Sequence, residues 1–277
     1  MGTSSDPVAI LAAIRARNPH SRKVRVNAAI PAAALATALR DSGETRELIM
    51  SGVQFTRPEM CQVLEALSVS DSLRVLDLSD AGLDEDTLFD VADLVRHCHS
   101  LARLDLSGND VGPDVAAELG SALSGHPSMR TMLLRDVDLR DDGVEALLGA
   151  LGPDGCTLHK LAVSDNGITD QGCAMLAGFA RKSTELTTII ATGNALPKDI
   201  AASIAASCER NVARIGYNPA SRPASMVASR QARGQPGAPS APQPTASAVL
   251  PELSLLARVE EAVPLPNLSL LLRCDAL

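Results

Sequence analysis

Apolar residues recur along the middle of this 277-residue chain in a fixed two-part pattern. The first part reads Leu73, Leu76, Leu78, Leu83, then Leu101, Leu104, Leu106, Val111, then Met129, Met132, Leu134, Leu139. It continues as Leu158, Leu161, Val163, Ile168 and Leu186, Ile189, Ala191, Leu196. The leading members stand at 73, 101, 129, 158 and 186, in steps of 28, 28, 29 and 28. Alternation at its centre predicts a short strand with one buried face. Between strands, apolar residues fall at the i, i+3, i+4, i+7 spacing of one helix face. That column reads Leu88, Val91, Ala92, Val95; Ala116, Leu119, Gly120, Leu123; Val144, Leu147, Leu148, Leu151; Cys173, Leu176, Ala177, Ala180. It extends back to Met60, Val63, Leu64, Leu67 and forward to Ala201, Ile204, Ala205, Cys208. Pro58 and Pro113 mark first turns, with Asp86, Asp142 and Asp170 as acidic or capping residues nearby.

The strand motif L-x-x-L-x-L-x-x-N-x-L is that of a leucine-rich repeat, with Asn109, Asn166 and Asn194 at the Asn position and Ala81 and Val137 in its place elsewhere. One strand–helix unit cannot bury its apolar face alone, so neighbours stack into a continuous core. The expected fold is an α/β leucine-rich repeat solenoid, a right-handed βα superhelix with parallel strands on the concave face and helices on the convex one. A buried Leu contributes about 1.5–3 kcal/mol, so a charge at Leu104 or Leu161 is expected to unfold several repeats.

Weaker copies close the ends. Leu48, Met50, Val53 and Phe55 predict an upstream strand with Thr45 in the first Leu position; Val24 and Val26 predict another, followed by the helical run Ala32, Leu35, Ala36, Leu39. Val8, Leu11, Ala12 and Ile14 predict a capping helix ending near Asn18-Pro19. Downstream, Val212, Ile215 and Tyr217 predict a closing eighth strand. The domain reading is therefore a capping helix over 1–20, a solenoid over 21–219, a disordered Pro/Ala/Ser-rich basic linker over 220–248 and an apolar tail over 249–277.

Composition narrows the function. A net charge of -8 argues against nucleic acid as a partner, and 1% aromatic residues with no Trp removes a base-stacking platform. The six cysteines, Cys61, Cys98, Cys156, Cys173, Cys208 and Cys274, form no CxxC pair and read as small core residues of a reducing compartment. The first residues lack the basic and apolar regions of a signal peptide, Asp6 spoils a myristoylation match, and no stretch reaches the length of a membrane span. The expectation is a soluble, cytoplasmic monomer with no membrane partner.

Catalytic chemistry is not signalled. Asp136, Asp138, Asp141 and Asp142 resemble a calcium loop, but Asp141 and Leu147 stand where the loop needs its Gly and its bidentate Glu. The triplet His97-Cys98-His99 invites a metal reading, yet neighbouring helical residues diverge; one buried thiol between two exposed imidazoles is expected. Phosphate loops, nucleophile elbows and HExxH are absent from the sequence. The expectation is no enzyme, no cofactor and no metal.

Binding is signalled instead. Residues between the buried Leu positions face away from the core. Chosen from this ladder as partner contacts are Asp77, Arg103, Asp105, Leu133, Arg135, Lys160, Thr188 and Ile190, with Arg103 and Arg135 favoured because Arg is enriched in binding anchors. The basic segment after the last strand adds Tyr217, Arg222, Arg230 and Arg233.

Repeat length and Asn spacing resemble the ribonuclease-inhibitor class of leucine-rich repeats. Within it, Asn18-Pro19, Val24-Arg25-Val26-Asn27, the closing Arg214-Ile215-Gly216-Tyr217 and Ser221-Arg222-Pro223 resemble the repeat domain of tropomodulins and leiomodins. That resemblance covers roughly residues 8–230. It implies a protein partner, actin, met at the pointed end of a filament, and a cytoskeletal association. A tropomyosin-binding N-terminal half like that of the family is not expected. A general adaptor in a ciliary or signalling complex, and a small-GTPase regulator like the repeat-bearing activator of Ran, are the alternatives.

Overall fold

The computed structural model describes residues 7–15, 23–26 and 30–215. A capping helix α1 (Pro7–Arg15) precedes seven strand–helix units. These are β1 (Lys23–Arg25) and α2 (Ala32–Ser42), β2 (Glu47–Ile49) and α3 (Arg57–Ser68), β3 (Val75–Asp77) and α4 (Glu85–His97), and β4 (Arg103–Asp105) and α5 (Pro113–Leu123). They continue with β5 (Thr131–Leu133) and α6 (Arg140–Leu151), β6 (Lys160–Ala162) and α7 (Asp170–Lys182), and β7 (Thr188–Ile190) and α8 (Lys198–Ile215).

The strands form one parallel sheet in sequence order. Its register reproduces the repeat: Leu48, Leu76, Leu104, Met132, Leu161 and Ile189 stand side by side. Neighbouring strands lie about 4.8 Å apart, whereas packed helices need about 8–10 Å. The stack must therefore bend, with strands on the inside and helices outside. The leucines of both parts of the repeat make one unbroken core from Ile14 to Cys208.

Three devices lock adjacent units. Asn109, Asn166 and Asn194 each reach back one repeat. In the clearest case the Asn166 amide donates to Leu134 O at 2.6 Å and Oδ1 accepts from the N–H of Val137 at 2.9 Å and Leu139 at 3.3 Å. Asp141 at the start of α6 caps α7, accepting from the N–H groups of Thr169 and Gly172. Burial acts to raise its pKa, but these bonds outweigh burial and hold its carboxyl below the usual range. His126 accepts at Nδ1 from the Met129 N–H at 3.0 Å, which leaves Nε2 to donate to Cys98 O.

The turn after each strand enters the left-handed backbone region at Gly52, Asp80, Gly108, Asp136, Asp165 and Gly193. Aspartate tolerates this conformation better than most residues. At Gly108 and Gly193 the positive φ favours glycine, and an added Cβ would also make the Asp80 and Asp165 carboxylates turn aside.

The expected eighth strand is not formed. Val212 to Ile215 continue α8, since no Gly or Pro interrupts residues 198–215. Asn211 is buried within this helix, and its amide donates to Ser183 O and Leu186 O, which ties α8 across the preceding unit. Asn18-Pro19, Asn27, Gly216, Tyr217 and the whole of 220–277 lie outside the described residues, as do the linker and tail assignments.

Candidate binding face

The strands are only three residues long, so each offers two outward side chains, the first and the third. Across β2 to β7 the first row reads Glu47, Val75, Arg103, Thr131, Lys160, Thr188 and the third reads Ile49, Asp77, Asp105, Leu133, Ala162, Ile190. A further row, two residues beyond, carries hydroxyls: Ser51 and Ser79 are linked at 2.9 Å, and Ser164 and Thr192 are linked at 2.9 Å.

The chosen residues share this face. Arg103 and Asp105 pair at 3.6 Å within one strand, which places both on the same side. Asp77 and Asp105 are register neighbours, and each accepts from the hydroxyl and N–H of the Ser two residues on. Arg135 is exposed, whereas Lys160, Thr188 and Ile190 are half-buried. Leu133 differs from the expectation of an offered contact: it is only 4% exposed yet lies outside the continuous core. It and the fully buried Ala162 floor the face rather than protrude from it.

The stack also sorts charge, a feature the ladder alone did not reveal. Along the leading edge, where the chain runs into β2–β6, stand Arg46, Arg74, Arg103, Arg130 and Lys160, against the acids Glu44, Glu47 and Asp71. Glu47 is already paired with Lys23 at 3.0 Å. Along the trailing edge, over residues 77–82, 105–110, 133–138 and 162–167, stand Asp77, Asp80, Asp105, Asp110, Asp136, Asp138 and Asp165 against the single base Arg135. Arg74 and Arg130 donate to loop carbonyls, and among the described residues neither has a carboxylate partner. The signal was available in sequence as Arg46, Arg74 and Arg130 at multiples of 28 residues. The two edges meet within the strands, where Arg103 and Asp105 pair at 3.6 Å. The wall therefore grades from basic to acidic along the strand direction, with the two signs in contact at its centre.

The other chemistry of the chain is structural. Cys98 is buried and His97 and His99 are exposed, as the triplet suggested. Burial pushes the thiols of Cys173 and Cys208 up to about 11, so they are protonated packing groups. Among the described residues no helix is long and apolar enough to cross a membrane.

Comparison with known proteins agrees with this architecture. The family described as Leucine Rich repeat matches residues 97–118 and 156–177. The chain is 30% identical over 163 residues to human NACHT, LRR and PYD domains-containing protein 13, a stretch covering 58% of this chain and 16% of that one. It is 25% identical over 192 residues to mouse ribonuclease inhibitor, covering 58% of this chain and 42% of that one. The match thus spans less than half the length of either relative. Two solved structures are similar: a Caenorhabditis elegans tropomodulin C-terminal domain (12% identity, TM-score 0.41, 76% of this chain and 96% of that one) and the structure titled Leiomodin-1 Actin-Binding Site 2 (11%, 0.43, 84% and 100%). Likeness at that level says nothing about function. Sequence motif, strand register and family match converge on one statement: the chain is a solenoid built of leucine-rich repeats.

Proposed function

We propose that this chain is a non-enzymatic scaffold that binds a protein partner on its concave wall. The observation that supports this reading is the gradient from a basic leading edge to an acidic trailing edge across the strand face, joined by the Arg103–Asp105 pair. Its outward Arg103, Asp105 and Lys160 are held in register by a rigid stack. Such a field steers a charged partner and fixes its orientation more than it sets raw affinity. The shallow apolar floor of Leu133, Ala162 and Ile190 lies between the edges at the C-terminal half of the sheet.

Actin is the first partner to test, on the strength of the terminal motifs that resemble tropomodulins and leiomodins. Cosedimentation of the full chain with filamentous actin checks it. Binding that weakens as salt is raised agrees with the reading, and absence of binding at low salt removes actin. The wider reading is tested separately by exchanging Arg103→Asp together with Asp105→Arg. This swap keeps net charge and local pairing while reversing the order of charge across the face; a bound partner is expected to lose at least about tenfold in affinity.

A further inference from the structure

A column of polar residues near the C-terminal ends of the helices ties neighbouring units together. Ser70, Cys98 and His126 follow one another at 28-residue steps, as do Ser183 and Asn211. Each later member reaches back to a carbonyl of the one before it. Cys98 Sγ donates to Ser70 O at 3.8 Å, His126 Nε2 to Cys98 O at 3.2 Å, and Asn211 Nδ2 to Ser183 O at 3.0 Å. The same column holds the N–H of the first core residue in the next strand motif. Leu101 donates to Cys98 O at 3.0 Å, Leu186 to Ser183 Oγ at 3.3 Å and Met129 to His126 Nδ1 at 3.0 Å. The Ser128 N–H is directed at the same Nδ1 at 3.3 Å. Of these five residues, only His126 is of a type that changes charge between about pH 5 and 8.

The site suits the neutral ring and no other form. The Nδ1 lone pair faces two N–H donors, and the Nε2 hydrogen faces a carbonyl. A second proton has only Nδ1 to occupy, where it meets donors instead of an acceptor. The ring is buried, and the charged side chains that bear on it are cations. From the loop after α4 the His99 ring stacks at 6.3 Å and 22°; from the turn before β5 comes Arg130. The carbonyls of Val95 and Cys98 pull the other way, but among the described residues no carboxylate pairs with the ring. Arg96 and Glu118 tie α4 to α5 at the outer surface, and Thr157 of the following unit donates to His126 O and Met129 O. The buried His159 is different. Its Nδ1 stands 3.2 Å from Thr157 O, an acceptor, so a second proton there removes no backbone bond.

We propose that His126 is a proton-operated latch on the turn between α5 and β5. With Nδ1 unprotonated it holds residues 126–129 against Cys98. When Nδ1 takes up a proton, the Ser128 and Met129 N–H groups lose their acceptor and the cationic ring leaves for water. The turn then opens while the sheet stays formed, because each repeat leans only on its neighbours. Arg130 donates to Pro127 O and Met129 O, both carbonyls of this turn, so opening also frees a guanidinium of the basic leading edge. That last consequence rests on the concave wall being the binding face; the latch itself is read without a partner.

Hydrogen exchange of the full chain at the Met129 amide tests this, with protection taken relative to an unstructured peptide at the same pH. Wild-type protection is expected to fall about tenfold or more between pH 7.5 and 5.0. At pH 5.0 it is expected to be insensitive to urea below the unfolding transition, as local opening exposes little surface. The Leu78 amide, which donates to Asp105 O within the sheet, is the urea-sensitive reference for opening of the whole array. In His126→Asn the side chain keeps a donor and an acceptor but does not titrate, and Met129 protection is expected to be equal at the two pH values. Unchanged protection in the wild type overturns the latch. So does a fall that persists in His126→Asn, or a Met129 amide that follows Leu78 in urea. Should His126→Asn not fold, the wild-type pH and urea dependences decide the matter on their own.

Discussion

Gly120 and Gly149 stand within α5 and α6, and the same substitution at the two sites should act in opposite directions. Replacing Gly by Ala inside an exposed helix is worth about 0.8–1.0 kcal/mol, because Gly loses more backbone freedom on folding. At Gly149 nothing lies within 4 Å of the added Cβ, so Gly149→Ala is expected to stabilise by about 0.5–1 kcal/mol. At Gly120 the Cβ would sit 2.4 Å from Leu147 O, 3.0 Å from Ala150 Cβ and 3.1 Å from Leu151 N. Two of those neighbours are backbone atoms of α6, which cannot swing aside as a side chain can. Separating the helices is an overpacking cost of about 3 kcal/mol, and subtracting the propensity gain leaves a net loss of about 2 kcal/mol. In thermal melts followed by circular dichroism this is a fall of about 4–8 °C for Gly120→Ala against a rise of about 1–4 °C for Gly149→Ala. Equal stabilisation by both variants would refute the close approach of α5 and α6.

Other outcomes follow from the same contacts. Asn166→Ala strands the N–H groups of Val137 and Leu139 and the Leu134 carbonyl, and should cost about 2–4 kcal/mol in urea denaturation; a change under 1 kcal/mol would contradict the bridging role. His126 and His159 are held below the ordinary imidazole range, chiefly by burial. The unfolded chain therefore binds more protons near pH 6.5, and stability is retained above that pH and lost as pH falls through it. The urea midpoint should accordingly drop between pH 7.5 and 5.5, and a midpoint that rises would contradict the burial of these rings. In a Cys274→Ser background, iodoacetamide at pH 8 should label Cys61 ahead of Cys98, Cys156, Cys173 and Cys208, because Cys61 alone of the five is not buried. Labelling of Cys173 or Cys208 first would refute the packing around them.

The central repeats were legible because a fixed 28-residue step leaves each apolar residue one role. Leu76, Leu104, Met132 and Leu161 could be placed on successive strands from spacing alone, and the register places them there. The closing strand misled because Val212, Ile215 and Tyr217 are apolar without the repeat's full template. The helical column Ala201, Ile204, Cys208 extends through the buried Asn211 and carries the helix through Val212 and Ile215. Alternation told which way Leu133 faces but not that its neighbours cover it; cover depends on side chains from adjacent strands. The cap that Asp141 places on α7 joins elements a repeat apart, and no local signal marks it. Charge sorting was present in the sequence throughout, yet it becomes visible only when the strands are laid side by side.

The claim that the concave wall carries the partner is tested most directly by affinity isolation with matched charge reversals on the two faces. One bait carries Arg103→Asp and Lys160→Asp on the strands. The other carries Arg40→Asp and Arg96→Asp on helices α2 and α4, whose guanidinium groups pair with Glu65 and Glu118. Both baits are compared with the wild-type chain at equal fold stability. The account predicts that proteins retained by the wild-type chain survive on the helix variant and are lost from the strand variant. Loss from the helix variant with full retention on the strand variant would contradict it.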